Sequence, residues 1–219
     1  MSDTVYAVIS GEIADSRKIA QEQLGKIPDI IRASFREVNE KVDAAHRLVY
    51  EIIRMDEFLC LTSIPHSALH SMMLLASEFR HRSYKELNIR TELRLSLGIG
   101  PAELFQNELR ESDGTAFRYA DNGLRTMKRN QRLIITSGNR EMDDEFQVAC
   151  GFMDILIHDW SDDQAEAVFH SLTGKNQVEI SETLNISQPA VNRRLKAAHV
   201  EAVERFITRY AALLGKKND

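Results

Sequence analysis

Gln188, Asn192, Arg193, Arg194 and Lys196 crowd into ten residues that open on Ser187 and Pro189 and are threaded by Val191 and Leu195. Side-chain amides pair bidentately with adenine, a guanidinium pairs with guanine, and an ammonium holds phosphate. Ser187 is a helix-cap residue, and Pro189 falls in the first turn, where a missing amide hydrogen is tolerated. Val191, Leu195 and Ala198, spaced by four and three, form an inward stripe and leave the amides and bases for the outer face. That pattern suits a helix lying in a DNA groove, with Gln188, Asn192, Arg193, Arg194 and Lys196 as its contact set. A small helical bundle with a solvated polar face explains the amphipathicity alone. Charge placement separates the two readings. Ser187–Lys217 holds Arg193, Arg194, Lys196, Arg205, Arg209, Lys216 and Lys217 against Glu201 and Glu204, in a chain of net charge −5. The preceding Ser161–Ile186 carries Asp162, Asp163, Glu166, Glu179 and Glu182 against Lys175. A basic element behind an acidic one is the local asymmetry that groove binding needs.

A second chemistry is written in carboxylates. "GEIADSRKI" puts Glu12 and Asp15 just after an apolar run, and "RMDEF" puts Asp56 and Glu57 at a tight corner. Strand-end carboxylates that meet across a sheet can hold Mg²⁺ over a triphosphate. Wet loops also collect acids, so the pairing depends on the fold. Arg17 comes soon after the same run and can face phosphate or simply begin a solvated helix. "SDGTAF" sets Ser112 and Asp113 ahead of Gly114, an ordinary cap or an anion site. His66 and His70 share a helix face but lack a third ligand. Cys60 and Cys150 stand far apart in apolar runs, as buried free thiols of a reducing compartment do.

These residues need elements to carry them. "TVYAVIS" reads as a buried strand ending at Gly11. Ser16 caps the next helix, in which Ile27, Ile30, Ile31, Phe35, Val38 and Val42 fall at helical spacing with Pro28 as a break or restart. "RLVYEII" and "EFLCLT" form a hairpin, "HSALHSMMLLASEFRHRSY" a second helix, and "TELRLSLGIG" a half-buried strand. The order β-α-β-β-α-β predicts an α+β, ferredoxin-like palm with the first strand beside the hairpin and both helices on one face. Beyond it come a short strand at "AELF", a helix over 115–129, a strand "RLIIT" and a helix "EFQVACGFMDILIHDW". "DQAEAVFHSL" and "QVEISETL", with Val178, Ile180 and Leu184 as apolar points, support the helix that Ser187 caps after the "NIS" turn. "HVEAVERFITRYAALL" packs Val203, Phe206, Ile207, Tyr210 and Leu214 on its own domain or, in a second reading, on a second copy. The expected division is a palm-like domain over 1–142, a connecting helix over 143–160 and an all-α helix-turn-helix domain over 161–219. With 43% hydrophobic residues, no apolar run nearing the roughly 20 residues of a membrane span and no secretory start, the chain reads as cytoplasmic.

Two resemblances sharpen this. Gln164–His199 resembles the helix-turn-helix of sigma-factor region 4, whose third helix, here from Gln188 onward, enters the major groove. "GEIADSRKI", "RMDEF" and "LGIGPAEL…SDGTAFRYADNGL" resemble, in order, motifs of the SatD family over about Val5–Leu124. The wider likeness is to class III nucleotide cyclases and palm polymerases. It implies Glu12 and Asp56 as metal carboxylates for Mg²⁺, with Gly98, Gly100, Asp113 and Gly114 beside a nucleotide. Glu12 stands where aspartate is usual, one methylene too long for tight Mg²⁺ geometry. Met55 stands where the hairpin glycine is usual and hinders a φ > 0 turn. The expectation is therefore a homodimeric DNA-binding transcriptional regulator with a degenerate sensory or dimerising palm, its alternative a metal-dependent enzyme processing nucleoside triphosphates.

Overall fold

The computed structural model describes residues 4–105 and 108–215, so Lys216 and Lys217 of the basic tail lie outside the described residues. The fold is α+β. Strand β1 (Val5–Ile13) runs through the centre of a sheet, flanked antiparallel by β3 (Glu57–Thr62) and β4 (Leu93–Glu103). The hairpin partner β2 (Val49–Arg54) forms one edge, giving the order β2-β3-β1-β4 expected of β-α-β-β-α-β. β1 continues two residues past Gly11, because Gly11 lies opposite Phe58 and a Cβ there would come within 2.2 Å of the Phe58 ring. The "AELF" segment is not a separate strand, since β4 runs unbroken through Pro101 to Glu103. The far end of β4 takes the two-residue strand β5 (Asp113–Gly114), and its first half takes β6 (Leu133–Thr136) in parallel, so the sheet is mixed.

Alternation along β1 assigns the two faces. Ala7, Ile9 and Ile13 face the helices that join the strands, and Val8 faces the opposite side with Leu61, Ala116, Phe117 and Ala120. After a 3-10 turn at Ser16–Lys18 and a single turn α1 (Gln21–Leu24), helix α2 (Ile27–Lys41) starts with Pro28 in its first turn, a restart rather than a helix capped by Ser16. Helix α3 (Ala68–Leu87) buries Met72, Met73, Leu74 and Leu75 at 0–1% exposure. Four consecutive buried residues need cover on two sides. The sheet supplies one and the C-terminal helices the other. Helix α4 (Thr115–Thr126) covers the opposite face of the sheet.

The C-terminal helices are α5 (Arg140–Asp159), α6 (Asp162–Leu172), α7 (Gln177–Leu184), α8 (Gln188–Ala197) and α9 (Val200–Gly215). Their starts are locally determined. Ser161 with Gln164 and Asn176 with Glu179 form reciprocal capping boxes. Asn185 ends α7 in the left-handed conformation, and Ile186–Ser187 completes the turn into α8. These helices share one continuous apolar core with α2, α3 and the sheet. Polar ties cross the same junction: the Arg80 guanidinium donates to the Ile157 carbonyl at 3.0 Å, Tyr210 Oη to the Pro65 carbonyl at 2.8 Å, and the His70 ring lies 2.8 Å from the Leu172 carbonyl. The α9 stripe is thus spent on its own chain, with Val203 and Tyr210 fully buried. Among the described residues no helix is long and apolar enough to cross a membrane.

Candidate functional site

Helix α8 separates its faces cleanly. Val191 and Leu195 are buried, as is Ala198 just beyond, while Gln188, Arg193 and Lys196 are exposed. Three neighbours hold the inner face. Asn192 is half-buried and donates from Nδ2 to Oε1 of Gln177 at 3.3 Å, linking α8 to the first residue of α7. Trp160 is buried at the α5–α6 junction and its indole N–H donates to the Ala198 carbonyl at 2.9 Å, fixing the C-terminal end of α8. Arg194, which its neighbours in sequence group with the DNA contacts, serves α6 instead. Its guanidinium pairs with Asp163 at 2.9 Å and Glu166 at 3.5 Å, and its side chain is 22% exposed. The acidic stretch before α8 is partly explained by this pairing, which sequence spacing did not reveal. Ser187 occupies the cap position without a side-chain capping bond. On α7, Ile180 is buried as expected, but Val178 is 50% exposed. A cleft of about 870 Å³ lies along α8, edged by Lys175, Gln177, Asn192, Lys196, His199 and Arg205.

Behind α6 lies a group of titratable side chains. His81 of α3 meets Glu166 at 3.2 Å, so Glu166 bridges α3 and Arg194 of α8. Burial pushes the Glu78 carboxyl up to about 7 against the pull of Arg82. Burial likewise depresses His170 to about 4 and lowers His81. Cys60 and Cys150 are buried free thiols, raised by desolvation.

The carboxylate constellation assembles only in part. Ile13 N–H donates to the Asp56 carbonyl at 2.9 Å, so the hairpin corner does abut the end of β1. Glu12, however, pairs across the sheet with Glu57 on one side and Arg94 on the other, and its carboxylate is ion-paired to the Arg94 guanidinium. Arg94 also donates to the Met127 carbonyl at 2.7 Å, anchoring it at the C-terminal end of α4. Glu57 pairs with Arg54 at 3.2 Å. Among the described residues no group of three or more His, Cys, Asp or Glu side chains converges as a metal site would. With Glu12 held by Arg94, the two carboxylates assigned to Mg²⁺ are not both free to coordinate it.

Of the residues assigned to a nucleotide, Gly98, Gly100, Asp113 and Gly114 come together where β4, β5 and the start of α4 meet, and Arg17 does not join them. Gly98 and Gly100 pair with Val8 and Tyr6, near the start of β1, and Gly114 pairs with Ala102. Arg17 lies beyond the other end of β1. Nor is the space above the glycines open to a phosphate. A Cβ on Gly98 would lie 2.1 Å from the Ala116 carbonyl oxygen, and one on Gly100 3.1 Å from Thr115 Cβ. Both let α4 approach the sheet. Gly114 has φ +139° and would clash with Pro101 and Ala102, so it serves the turn into α4. Asp113 spends its carboxylate on Arg118 at 2.9 Å.

No protein-family model matches the chain, and no curated protein matches it. Among solved structures, a crystal structure of the guanylyl cyclase Cya2 aligns with a TM-score of 0.43 at 14% identity, over 60% of this chain and 74% of that one. The SatD and sigma-region-4 resemblances therefore rest on their motifs alone.

Proposed function

We propose that the chain is a DNA-binding transcriptional regulator in which α8 enters the major groove, α7 supports it as the first half of a helix-turn-helix, and the palm-like domain is a rigid, non-catalytic platform. One observation carries the reading: the buried Val191–Leu195 stripe leaves Gln188, Arg193 and Lys196 on an outer face that the rest of the described fold does not use. Gln188 and Arg193 are suited to base edges and Lys196 to phosphate. Asn192 joins them on exchanging its bond to Gln177 for adenine. Arg194 is left out of this contact set, because its guanidinium is already held by Asp163 and Glu166. The test is binding of the full chain to genomic fragments it selects. Arg193→Ala is expected to cost roughly 1–3 kcal/mol on the selected site while hardly changing non-specific binding. Equal binding by wild type and Arg193→Ala would remove the helix-turn-helix assignment.

The rival reading, a metal-dependent enzyme acting on nucleoside triphosphates, draws on the approach of the Asp56 corner to the end of β1. It requires Glu12 to leave Arg94. Purified protein with ATP or GTP and Mg²⁺ or Mn²⁺ is expected to release no pyrophosphate. Turnover abolished by Asp56→Ala would establish the enzyme instead.

A further inference from the structure

His199 makes the corner between α8 and α9, and it does so in the left-handed region at φ 53°. Its N–H donates to the Lys196 carbonyl at 3.1 Å, and its own carbonyl accepts the Ala202 N–H of α9 at 2.9 Å. A corner this tight suits glycine, because a Cβ in this region crowds the neighbouring carbonyl. The other non-glycine residues of the described chain in this conformation are Asp15, Asn88 and Asn185, whose short polar side chains tolerate it. Histidine enters the region more readily than most residues, but still at a cost that glycine does not carry. The His199 ring recovers none of that cost locally. It is exposed and makes no hydrogen bond or ion pair among the described residues. An unfavourable backbone kept for a side chain that the fold does not use points to function.

The corner is held from within and faces a cleft. The Trp160 indole N–H fixes the Ala198 carbonyl on one side of His199, and Val200 is buried on the other. His199 edges the cleft along α8 together with Lys175, Lys196 and Arg205, so donors reach it from the turn before α7, from α8, from the corner and from α9. Lys175 gives one N–H to Thr183 Oγ1 at 2.9 Å and keeps two. Lys196 is exposed and has no ion-pair partner among the described residues. Two carboxylates share the cleft. Glu201 lies 3.8 Å from Arg205, and Glu204 accepts the Ser171 hydroxyl at 3.3 Å. Asn192 edges the same cleft, which therefore borders the face assigned to bases. Donors flanking a base-reading face are what a DNA backbone meets first. We infer that His199 is a DNA-contacting residue, its imidazole N–H donating to a backbone phosphate of the strand that lies along this cleft, with Lys175 and Lys196 beside it. The inference rests on the proposed entry of α8 into the groove.

Binding of the full chain to a selected fragment and to unrelated duplex DNA tests it, with thermal unfolding of each variant alongside. His199→Gly removes the ring and suits the backbone. It is expected to unfold no earlier than wild type while binding both DNAs roughly tenfold more weakly. His199→Lys returns a donor, and is expected to bind both as tightly as wild type with a slope of log K against log salt steeper by about one unit. Wild-type affinity in His199→Gly, while Arg193→Ala still loses the selected site, overturns this inference and leaves the groove reading standing. A loss confined to the selected fragment overturns the phosphate contact, and earlier unfolding of His199→Gly shows the ring to be structural. A wild type that binds neither DNA removes both readings together.

Discussion

Arg193 is exposed, while Arg194, one position on, is held by Asp163 and Glu166. Substitutions at the two should therefore report different things. Arg194→Ala strips a partly buried guanidinium from two carboxylates and is expected to lower folding stability by about 1 kcal/mol, leaving the salt dependence of DNA binding unchanged. Lys196→Ala is expected to lower affinity across sequences and flatten the slope of log K against log salt by about one unit, with stability untouched. Calorimetric unfolding and salt titrations of both variants separate these outcomes. His170 supplies a pH prediction. Burial depresses it from 6.5 to about 4, so the folded protein favours the neutral ring. Its contribution is present above pH 6.5 and is lost as pH falls through the folded value near 4, an effect on the order of 1–3 kcal/mol. Glu78, raised from 4.5 to about 7, works in the opposite sense: its contribution is present below pH 4.5 and is lost as pH rises through 7. Denaturant unfolding from pH 4 to 7 should show His170→Asn flattening the acid-side loss and Glu78→Gln flattening the loss towards neutral pH.

Among elements, the contact between α4 and β4 depends most on the absence of side chains. Gly98→Ala drives a Cβ into the Ala116 carbonyl, and because a backbone atom cannot rotate away, the expected cost is about 3 kcal/mol. A change in Tm without any effect of nucleotide would match a packing glycine; lost nucleotide binding with unaltered Tm would contradict it. In sequence, "LGIG" offers no way to tell a packing glycine from a phosphate-binding one, since both answer to close approach. Much else was legible. Periodicity located β1, the hairpin, α3 and α6–α8, because each buries a stripe set by its own repeat. The inward Val191–Leu195–Ala198 stripe is buried as its spacing indicated. What spacing could not show was partnership across the chain. Neither the grip of Asp163 and Glu166 on Arg194 nor that of Trp160 on Ala198 has a local signal. The parallel pairing of β6 beside β4 depends on a crossover that no short motif encodes.

At the scale of the whole molecule, the continuity of the apolar core between the sheet and the C-terminal helices is the controlling feature. A single apolar core runs from the sheet through α3 into α6, α8 and α9, and Arg80, His70 and Tyr210 tie the junction with hydrogen bonds. Stability should accordingly be shared. The full chain is expected to unfold in one cooperative transition, and a 161–219 fragment to lack stable helix, since Tyr210 and the inner face of α6 lose their cover. Two resolved calorimetric transitions would show independent domains. The shared core and these hydrogen bonds also tie α8 to the platform, as the proposed groove reading requires. The most direct measurement is site-specific photo-crosslinking of the full chain to its selected DNA, with the probe placed in turn at 188, 193 and 148. Efficient crosslinks to bases from 188 and 193, and none from the exposed 148 on α5, are the result this account predicts. Crosslinks absent from both α8 positions while the DNA remains bound would contradict it.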